Sequence, residues 1–269
     1  MQNLLVISQA GLTFKERIGG LSNMSILPVN KPQTPVDTPR NFFIWGATMS
    51  GKSYLAERFP NPLFLNTDGN ALANQAPSIQ IRNIKSKQGL KQSAIKQLDE
   101  IILELENNNP GYETLVLDVI DDMIVMIEQA ICVDNGVQTL GDIPYGKGYA
   151  LFNQVLQELV MDLKSLSMNI VYISRIADLV DDDGKSYEAP SLKTKYYNVI
   201  NGNSDLVIQT KRVGVRYIRR VTDRRKKYYR SQIDDPKILR ILENVVGALE
   251  QDANNTVASK TVSNKTKEK

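Results

Sequence analysis

The octapeptide GATMSGKS, at residues 46–53, is the feature that most constrains how this chain folds. It has the spacing G-x-x-x-x-G-K-S, follows the apolar run FFIW and precedes an amphipathic segment, so it predicts a buried strand, a tight loop and a helix. Gly46 and Gly51 let successive backbone N–H groups point at an anion, Lys52 can reach the β- and γ-phosphates of a nucleotide, and Ser53 can ligate Mg²⁺. The alternative is a glycine-containing turn with an incidental lysine, although a chance match in a chain of this length is roughly a one-percent event. The predicted nucleotide-binding residues are Gly46, Ala47, Thr48, Met49, Ser50, Gly51, Lys52, Ser53 and Tyr54.

Apolar strands and amphipathic helices alternate after this loop. The runs PLFLN, ETLVLDVI and MNIVYIS are near-continuously apolar, and helical spacing recurs at Ile95, Leu98, Ile102 and Leu105 and at Leu151, Val155, Leu159, Leu163 and Leu166. This pattern predicts an α/β fold with a mostly parallel sheet covered by helices on both faces. Two later runs, SDLVIQT and VGVRYIRRV, are separated by Lys211 and Arg212 and predict an antiparallel addition at one edge.

Composition sets the predicted boundaries. Residues 1–38 are rich in Gly and Pro and predict an irregular lead-in, residues 39–250 form one domain, and residues 251–269 form a polar tail expected to be disordered. The chain has no histidine and a single cysteine, which excludes histidine-based acid–base chemistry and a disulfide framework. No secretory signal or membrane-spanning run is apparent, so we expect a cytoplasmic location and no membrane partner.

Two carboxylates follow predicted strands. Asp118 ends an apolar strand, where a parallel sheet presents ligands, and is the candidate Mg²⁺ ligand; a turn aspartate is the alternative. Asp68 follows the second strand, expected to neighbour the loop strand, and could polarise an attacking water; an Asp-Gly turn is nearly as good an interpretation. Asp121 and Asp122 are expected in the first turn of the next helix.

Residues 40 to about 230 resemble the RecA-like P-loop ATPases, and among them the compact phage nucleotide-binding proteins that include single-strand-annealing recombinases. The resemblance rests on FIWGATMSGKSYLAERFPNPLFLNTDGN, TLVLDVIDD and YGKGYALFNQVLQELVMDLKSLSMNIVYISR. It implies a RecA-like core with an antiparallel edge hairpin, the cofactors ATP and Mg²⁺, and an ATPase acting on single-stranded DNA in recombination, annealing or replication. The implied catalytic residues are Lys52, Asp68, Asp118 and Arg175, with Ser53 and Asp118 at the metal.

The chain departs from that family's pattern at three positions. The family usually has Glu where Asp68 stands, one methylene longer, and often Asp where Asn66 stands. Ser174 and Arg175 occupy the place of a polar γ-phosphate sensor that is often Gln or His. Arg175 could act as a charged sensor or pair with a carboxylate, and both interpretations stay open.

The resemblance also implies a homo-oligomer, a ring or a filament, in which a neighbour inserts a cation at the nucleotide. Lys211 and Arg212, at an expected hairpin tip, are candidates for that cation, and a solvated turn is the alternative. A single-strand-binding or replication protein is a further expected partner, and a phage-encoded chain would work in the host cytoplasm.

Residues 211–230 carry ten Lys or Arg and one Asp, a local charge of +9 in a chain of net charge +3. Positive charge interleaved with tyrosine predicts contact with single-stranded DNA, although a charged strand face would look similar. The predicted DNA-binding residues are Arg219, Arg220, Arg224, Arg225, Lys226, Lys227, Tyr228 and Tyr229. Two other functions stay open: a motor or loader acting on a protein, and a small-molecule phosphotransferase. The phosphotransferase would need an arginine-bearing lid and an acceptor pocket, and residues 181–198, although loop-like, do not clearly show them.

Overall fold

The computed structural model describes residues 29–32, 37–69 and 75–251. The chain divides into two units, residues 1–36 and residues 37–269. Every helix and strand given below belongs to the second unit. Most of the expected lead-in and nearly all of the expected tail lie outside the described residues, so the predicted domain boundaries stay predictions.

A seven-stranded sheet forms the centre of the second unit. Its strands lie in the order β11-β10-β1-β7-β6-β2-β3, and all are parallel except β11, which runs antiparallel to β10. The bounds are β1 Asn41–Gly46, β2 Pro62–Asn66, β3 Ser78–Gln80, β6 Thr114–Asp118, β7 Asn169–Ser174, β10 Leu206–Val213 and β11 Arg216–Arg224. Two small antiparallel hairpins stand apart from it, β4 Ile84–Ser86 with β5 Gly89–Gln92, and β8 Ile176–Val180 with β9 Ser186–Pro190. The predicted fold class, a mostly parallel α/β sheet with an antiparallel edge, is confirmed.

Helices cover both faces of the sheet, as predicted. Their bounds are α1 Lys52–Ala56, α2 Ala94–Asn108, α3 Ile120–Asp134, α4 Lys147–Ser165, α5 Thr194–Asn203 and α6 Pro236–Glu243. Helices α2 to α5 pack on one face, in a core that includes Phe43 and Leu117, whereas α1 and α6 pack on the other, with Phe42 and Val116. Successive strand residues therefore enter different cores, which explains why the strands read as continuous apolar runs. No described helix is long and apolar enough to cross a membrane.

Strand order corrects two predictions. The second strand does not neighbour the loop strand, because β7 and β6 lie between β1 and β2. The edge addition is antiparallel only in β11, since β10 runs parallel to β1, and Lys211 and Arg212 lie inside β10 rather than between two strands. The chain turns at Gly214, which has φ of +61°, a value that glycine adopts without strain. Strands that are apolar on both faces carry no sequence signal for their neighbours. The order of the strands could therefore not be predicted from the sequence.

Two further predictions about local structure were wrong in part. Helix α4 buries Leu159 and Leu163 as predicted, but nearer its start it buries Phe152 and Leu156, while Leu151 is exposed and Val155 only half-buried. Residues 181–198 are not simply a loop, because they contain strand β9 and the start of α5. The helix after the loop, α1, has only five residues.

Candidate nucleotide site

The loop at residues 46–53 closes tightly against strand β10. A Cβ atom built on Gly46 would lie 2.2 Å from the backbone oxygen of Thr210, so no larger residue fits there. The Thr210 hydroxyl also shares a hydrogen bond of 2.6 Å with the buried hydroxyl of Ser50. Gly51 has φ of +87°, in the left-handed region that favours glycine. Both glycines of the motif are therefore required by the backbone itself.

Lys52 points back into its own loop. Its Nζ donates hydrogen bonds of 2.8 Å to the carbonyl oxygens of Gly46 and Ala47. Burial lowers the pKa of the Lys52 ammonium, and the neighbouring carboxylates of Asp118 and Asp121 partly oppose that shift. An ammonium held by two neutral carbonyls can exchange them for phosphate oxygens, which make stronger, charge-assisted bonds.

Ser53 and Asp118 meet at the carboxyl edge of the sheet. The Ser53 hydroxyl donates to Asp118 Oδ2 over 2.7 Å, which joins the start of α1 to the end of β6. Burial raises the pKa of Asp118, and the hydrogen bond from Ser53 opposes the rise. No cluster of three or more His, Cys, Asp or Glu side chains suited to a metal occurs in the described part of the chain. A hydroxyl and one carboxylate beside a phosphate loop fit Mg²⁺, which takes few protein ligands and completes its shell with phosphate and water oxygens.

The end of β2 brings two more predicted residues to this edge. Asn66 lies opposite Asp118 in the parallel register and is buried, and its Nδ2 has no hydrogen-bond partner among the described residues. A buried donor without a partner is uncommon, and one beside Asp118 can be satisfied by a bound ligand or water. Asp68 is exposed two residues further on, and its charge contributes to raising the pKa of Asp118.

Arg175 pairs with a carboxylate, one of the two interpretations that its position allowed. Its guanidinium donates to both oxygens of Asp122, at 2.6 and 2.7 Å, and this bidentate pair raises the pKa of Arg175 and lowers that of Asp122. Asp121 accepts hydrogen bonds from the hydroxyls of Ser174 and Ser191. Both aspartates lie in the first turn of α3, as expected. The carboxylates of Asp121 and Asp122 are therefore held in place by hydrogen bonds within the protein.

Tyr217 was not among the predicted site residues, but the structure places it beside the phosphate loop. Its ring carbon would lie 3.1 Å from a Cβ on Gly51, and with Tyr54 and Met49 it lines a cavity of about 500 Å³ next to Lys52. The ring is about half exposed, and the guanidinium of Arg212 lies over it, with Cζ 5.7 Å from the ring centroid. Only the strand order, which puts β11 two strands from β1, brings this residue to the loop.

The predicted DNA-binding stripe does not form one continuous surface. Arg219 and Arg220 point to opposite faces of β11, and Arg220 donates to Gln209 Oε1 over 2.8 Å. Arg224, Arg225 and Lys226 lie at or beyond the end of β11 and form ion pairs with Glu250, Asp205 and Asp37 respectively. Within the described residues, Lys227 and Arg216 form no ion pair or side-chain hydrogen bond.

Tyr228 was predicted to be one of two candidates for stacking on a base, and this is wrong. It is only 2% exposed and packs in the core with α6. Tyr228 and its half-buried neighbour Tyr229 lie beyond the end of β11. A core tyrosine and a stacking tyrosine have the same sequence signature, and only the packing distinguishes them.

The other predicted edge cations are also engaged. Lys211 forms an ion pair of 2.7 Å with Glu188, and the Arg212 side chain donates to the Gly214 carbonyl oxygen and lies over the Tyr217 ring. Neither residue forms the tip of the hairpin, since β10 continues to Val213 and the turn is at residues 214–215.

Comparison with known proteins gives one finding. The sequence model of a family described as AAA domain matches residues 38–233, which include every strand of the sheet and all the edge residues described above. No match was found among the curated proteins. The narrower resemblance to phage recombinases stays a prediction.

Proposed function

The chain belongs to the AAA domain family, and from that membership and the geometry of the edge we propose that it binds ATP with Mg²⁺ at residues 46–53 and hydrolyses it. The observation that carries this proposal is the 2.7 Å hydrogen bond between Ser53 and Asp118, which places a hydroxyl and a carboxylate together beside the loop. Proteins of this family are generally ATPases, and the glycines, Lys52 and the buried carboxylate are the parts that phosphoryl transfer requires.

Each residue has a role in this proposal. The backbone N–H groups of residues 46–53 cradle the phosphates, and Lys52 turns from the carbonyls of Gly46 and Ala47 to the β- and γ-phosphates. Ser53 and Asp118 hold Mg²⁺, which neutralises charge on the phosphate oxygens. Asp68 orients the attacking water, and Tyr217 stacks on the base in the adjoining cavity.

The proposed role of Arg175 is to keep Asp122 in place at the start of α3. A guanidinium that already donates twice to one carboxylate retains three further N–H donors. It can therefore still approach a phosphate without leaving Asp122.

We further propose single-stranded DNA as the polyanion partner, which the local charge of +9 over residues 211–230 supports. Within residues 211–230, the cations that form no ion pair or side-chain hydrogen bond among the described residues are Arg216, Arg219 and Lys227, and these are the candidates for the contact. The ring or filament, the insertion of Arg212 or Lys211 by a neighbour, and a replication or single-strand-binding partner are proposals of the same kind. So is the cytoplasmic location.

The test is an ATPase assay on the purified chain, with Mg²⁺ or with EDTA, and with or without a single-stranded oligonucleotide. We expect turnover that requires Mg²⁺ and rises when the oligonucleotide is added. Turnover raised only by a small phosphate acceptor would favour the phosphotransferase. Turnover that responds to neither would favour a loader acting on a protein.

Salt dependence tests the DNA contact separately. Log affinity for a single strand should fall linearly with log salt, by about 0.7 per neutralised phosphate. Replacing Arg216 and Lys227 with Ala should make the slope shallower by up to about 1.4. A control pair on the β4–β5 side, Arg82→Ala with Lys87→Ala, should leave it unchanged. Equal slopes for both pairs would remove these two residues from the contact.

A further inference from the structure

A cluster of basic side chains lies at the C-terminal end of helix α1, whereas the phosphate loop lies at its N-terminal end. Four cations, Arg58, Arg219, Lys237 and Arg240, line a cavity of about 360 Å³. Leu55, Ile241 and Asn244 also line it, and none of its described lining residues is acidic. The four come from three separate parts of the chain: the end of α1, strand β11 and helix α6. The fold therefore gathers these charges, since they are far apart in the sequence.

Most of the donors in this cavity have no hydrogen-bond partner among the described residues. The side chains of Arg219 and Arg240 make no hydrogen bond or ion pair within the described residues. In the described part of the chain, the one ion pair of Lys237 is a long contact of 3.9 Å to the half-exposed Glu113. Arg58 donates one hydrogen bond to the Tyr54 hydroxyl, and a guanidinium has five N–H donors. Many N–H groups are therefore available to donate hydrogen bonds to one bound ligand.

Holding these four cations together costs free energy when no anion is bound. Burial lowers the pKa of Arg219, and repulsion from Arg58 adds to this effect. Both guanidinium groups lie over the ring of Tyr54, at 4.4 Å for Arg58 and 6.0 Å for Arg219, which offsets part of the repulsion. An ordinary solvated basic face would spread such charges apart, whereas here three guanidinium groups and one ammonium share a single cavity.

We propose that this basic cavity is a second phosphate-binding site, which takes a phosphate monoester or the phosphodiester of a nucleic acid. One arginine guanidinium can donate two parallel N–H···O hydrogen bonds to a phosphate. The volume of the cavity also lies in the range of small-ligand sites. The site is separate from the phosphate loop, because Lys52 and Ser53 begin α1 whereas Arg58 follows its end. Tyr54 lines the cavity beside the phosphate loop, and the guanidinium groups of Arg58 and Arg219 lie over its ring. Its side chain therefore contacts both sites. This proposal does not depend on ATP hydrolysis.

The test is calorimetric titration of the full chain with inorganic phosphate, while Mg-ADP at saturating concentration fills the phosphate loop. Arg240→Gln and Lys237→Gln remove exposed cations that have no part in the nucleotide site. We expect each to weaken phosphate binding about tenfold, the loss of one charge-assisted hydrogen bond. The matched controls, Arg82→Gln and Lys87→Gln, should change it less than twofold. Thermal melting of all four variants confirms that the fold is kept.

A competing dT20 oligonucleotide identifies the source of the phosphate. Displacement of inorganic phosphate by dT20, with the same losses in the Arg240 and Lys237 variants, assigns the site to a nucleic-acid backbone. Phosphate binding that dT20 does not affect assigns it to a free phosphate group. Two results would overturn the proposal: no phosphate binding by the parent chain at tens of millimolar, or equal affinities in the cavity variants and their controls. The test compares the phosphate affinities of variants with those of the parent chain. A chain that does not hydrolyse ATP would therefore not contradict the proposal.

Discussion

Ser53 donates a hydrogen bond of 2.7 Å to Asp118, although 65 residues separate them in the chain. Ser53 lies at the start of the helix after the phosphate loop. Asp118 ends β6, which lies two strands from β1 in the sheet. The sheet brings both residues to one edge because its parallel strands all end there. This contact is where the proposed Mg²⁺ would be held.

Asp118→Asn should weaken nucleotide binding only when Mg²⁺ is present. An Asn oxygen can still accept from Ser53, so the fold is kept, but the charge that holds the metal is lost. Fluorescence titration with a labelled ATP analogue, in Mg²⁺ and in EDTA, measures the difference. Asp134→Asn, at the exposed end of α3, is the control. Equal losses in Mg²⁺ and in EDTA would show that Asp118 does not act through the metal.

Asp68→Asn should keep Mg-ATP affinity within about twofold and lower turnover by roughly 10²-fold or more, the usual contribution of a positioned base. The reason is that the phosphate cradle remains while the water loses its orienting carboxylate. Single-turnover kinetics separates these two effects. If turnover is unchanged, Asp68 has no part in hydrolysis and Asp121 becomes the next candidate.

Tyr217→Ala should weaken ATP binding by about fivefold or more, since a stacked base contributes ~1–3 kcal/mol. Binding of tripolyphosphate, which has no base, should not change, and Tyr217→Phe should restore ATP binding. Tyr187→Ala, at a similarly exposed strand position, serves as the control. Equal weakening of ATP and tripolyphosphate would indicate a disturbed loop and not a lost stack.

The Arg175–Asp122 pair should stabilise the fold in a pH-dependent way. Arg175 lowers the pKa of Asp122 in the folded chain, so the contribution is complete above the unfolded value of about 3.9 and is lost as pH falls through the lower folded value. Both side chains are partly exposed, so we expect at most about 1 kcal/mol from Asp122→Asn at pH 7. Urea unfolding at pH 7, 5 and 3 tests this. A difference between parent and variant that grows as pH falls would contradict it.

The sequence was most informative where backbone chemistry leaves few choices. Gly46, Gly51 and the apolar run before them predicted a strand and loop, and Asp118 was placed correctly at the end of its strand. The order of the strands could not be predicted, because runs apolar on both faces pair equally well with any neighbour. That order determines that Tyr217 reaches the loop and that Asp68 lies three strands from β1. Burial of Tyr228 and the ion pairs of Arg224 and Arg225 also depend on tertiary packing, which leaves no local signal.

The central claim is tested most directly by Mg-dependent ATP turnover in the Lys52→Ala variant. Lys52 is the residue whose ammonium is proposed to contact the transferred phosphate, so we expect turnover to fall roughly 10²-fold or more, as when one charge-stabilising donor is removed. Lys96→Ala, on the exposed face of α2, should turn over ATP at the parent rate. A folded Lys52→Ala protein that hydrolyses ATP as fast as the parent would contradict the assignment of residues 46–53 as the ATP site.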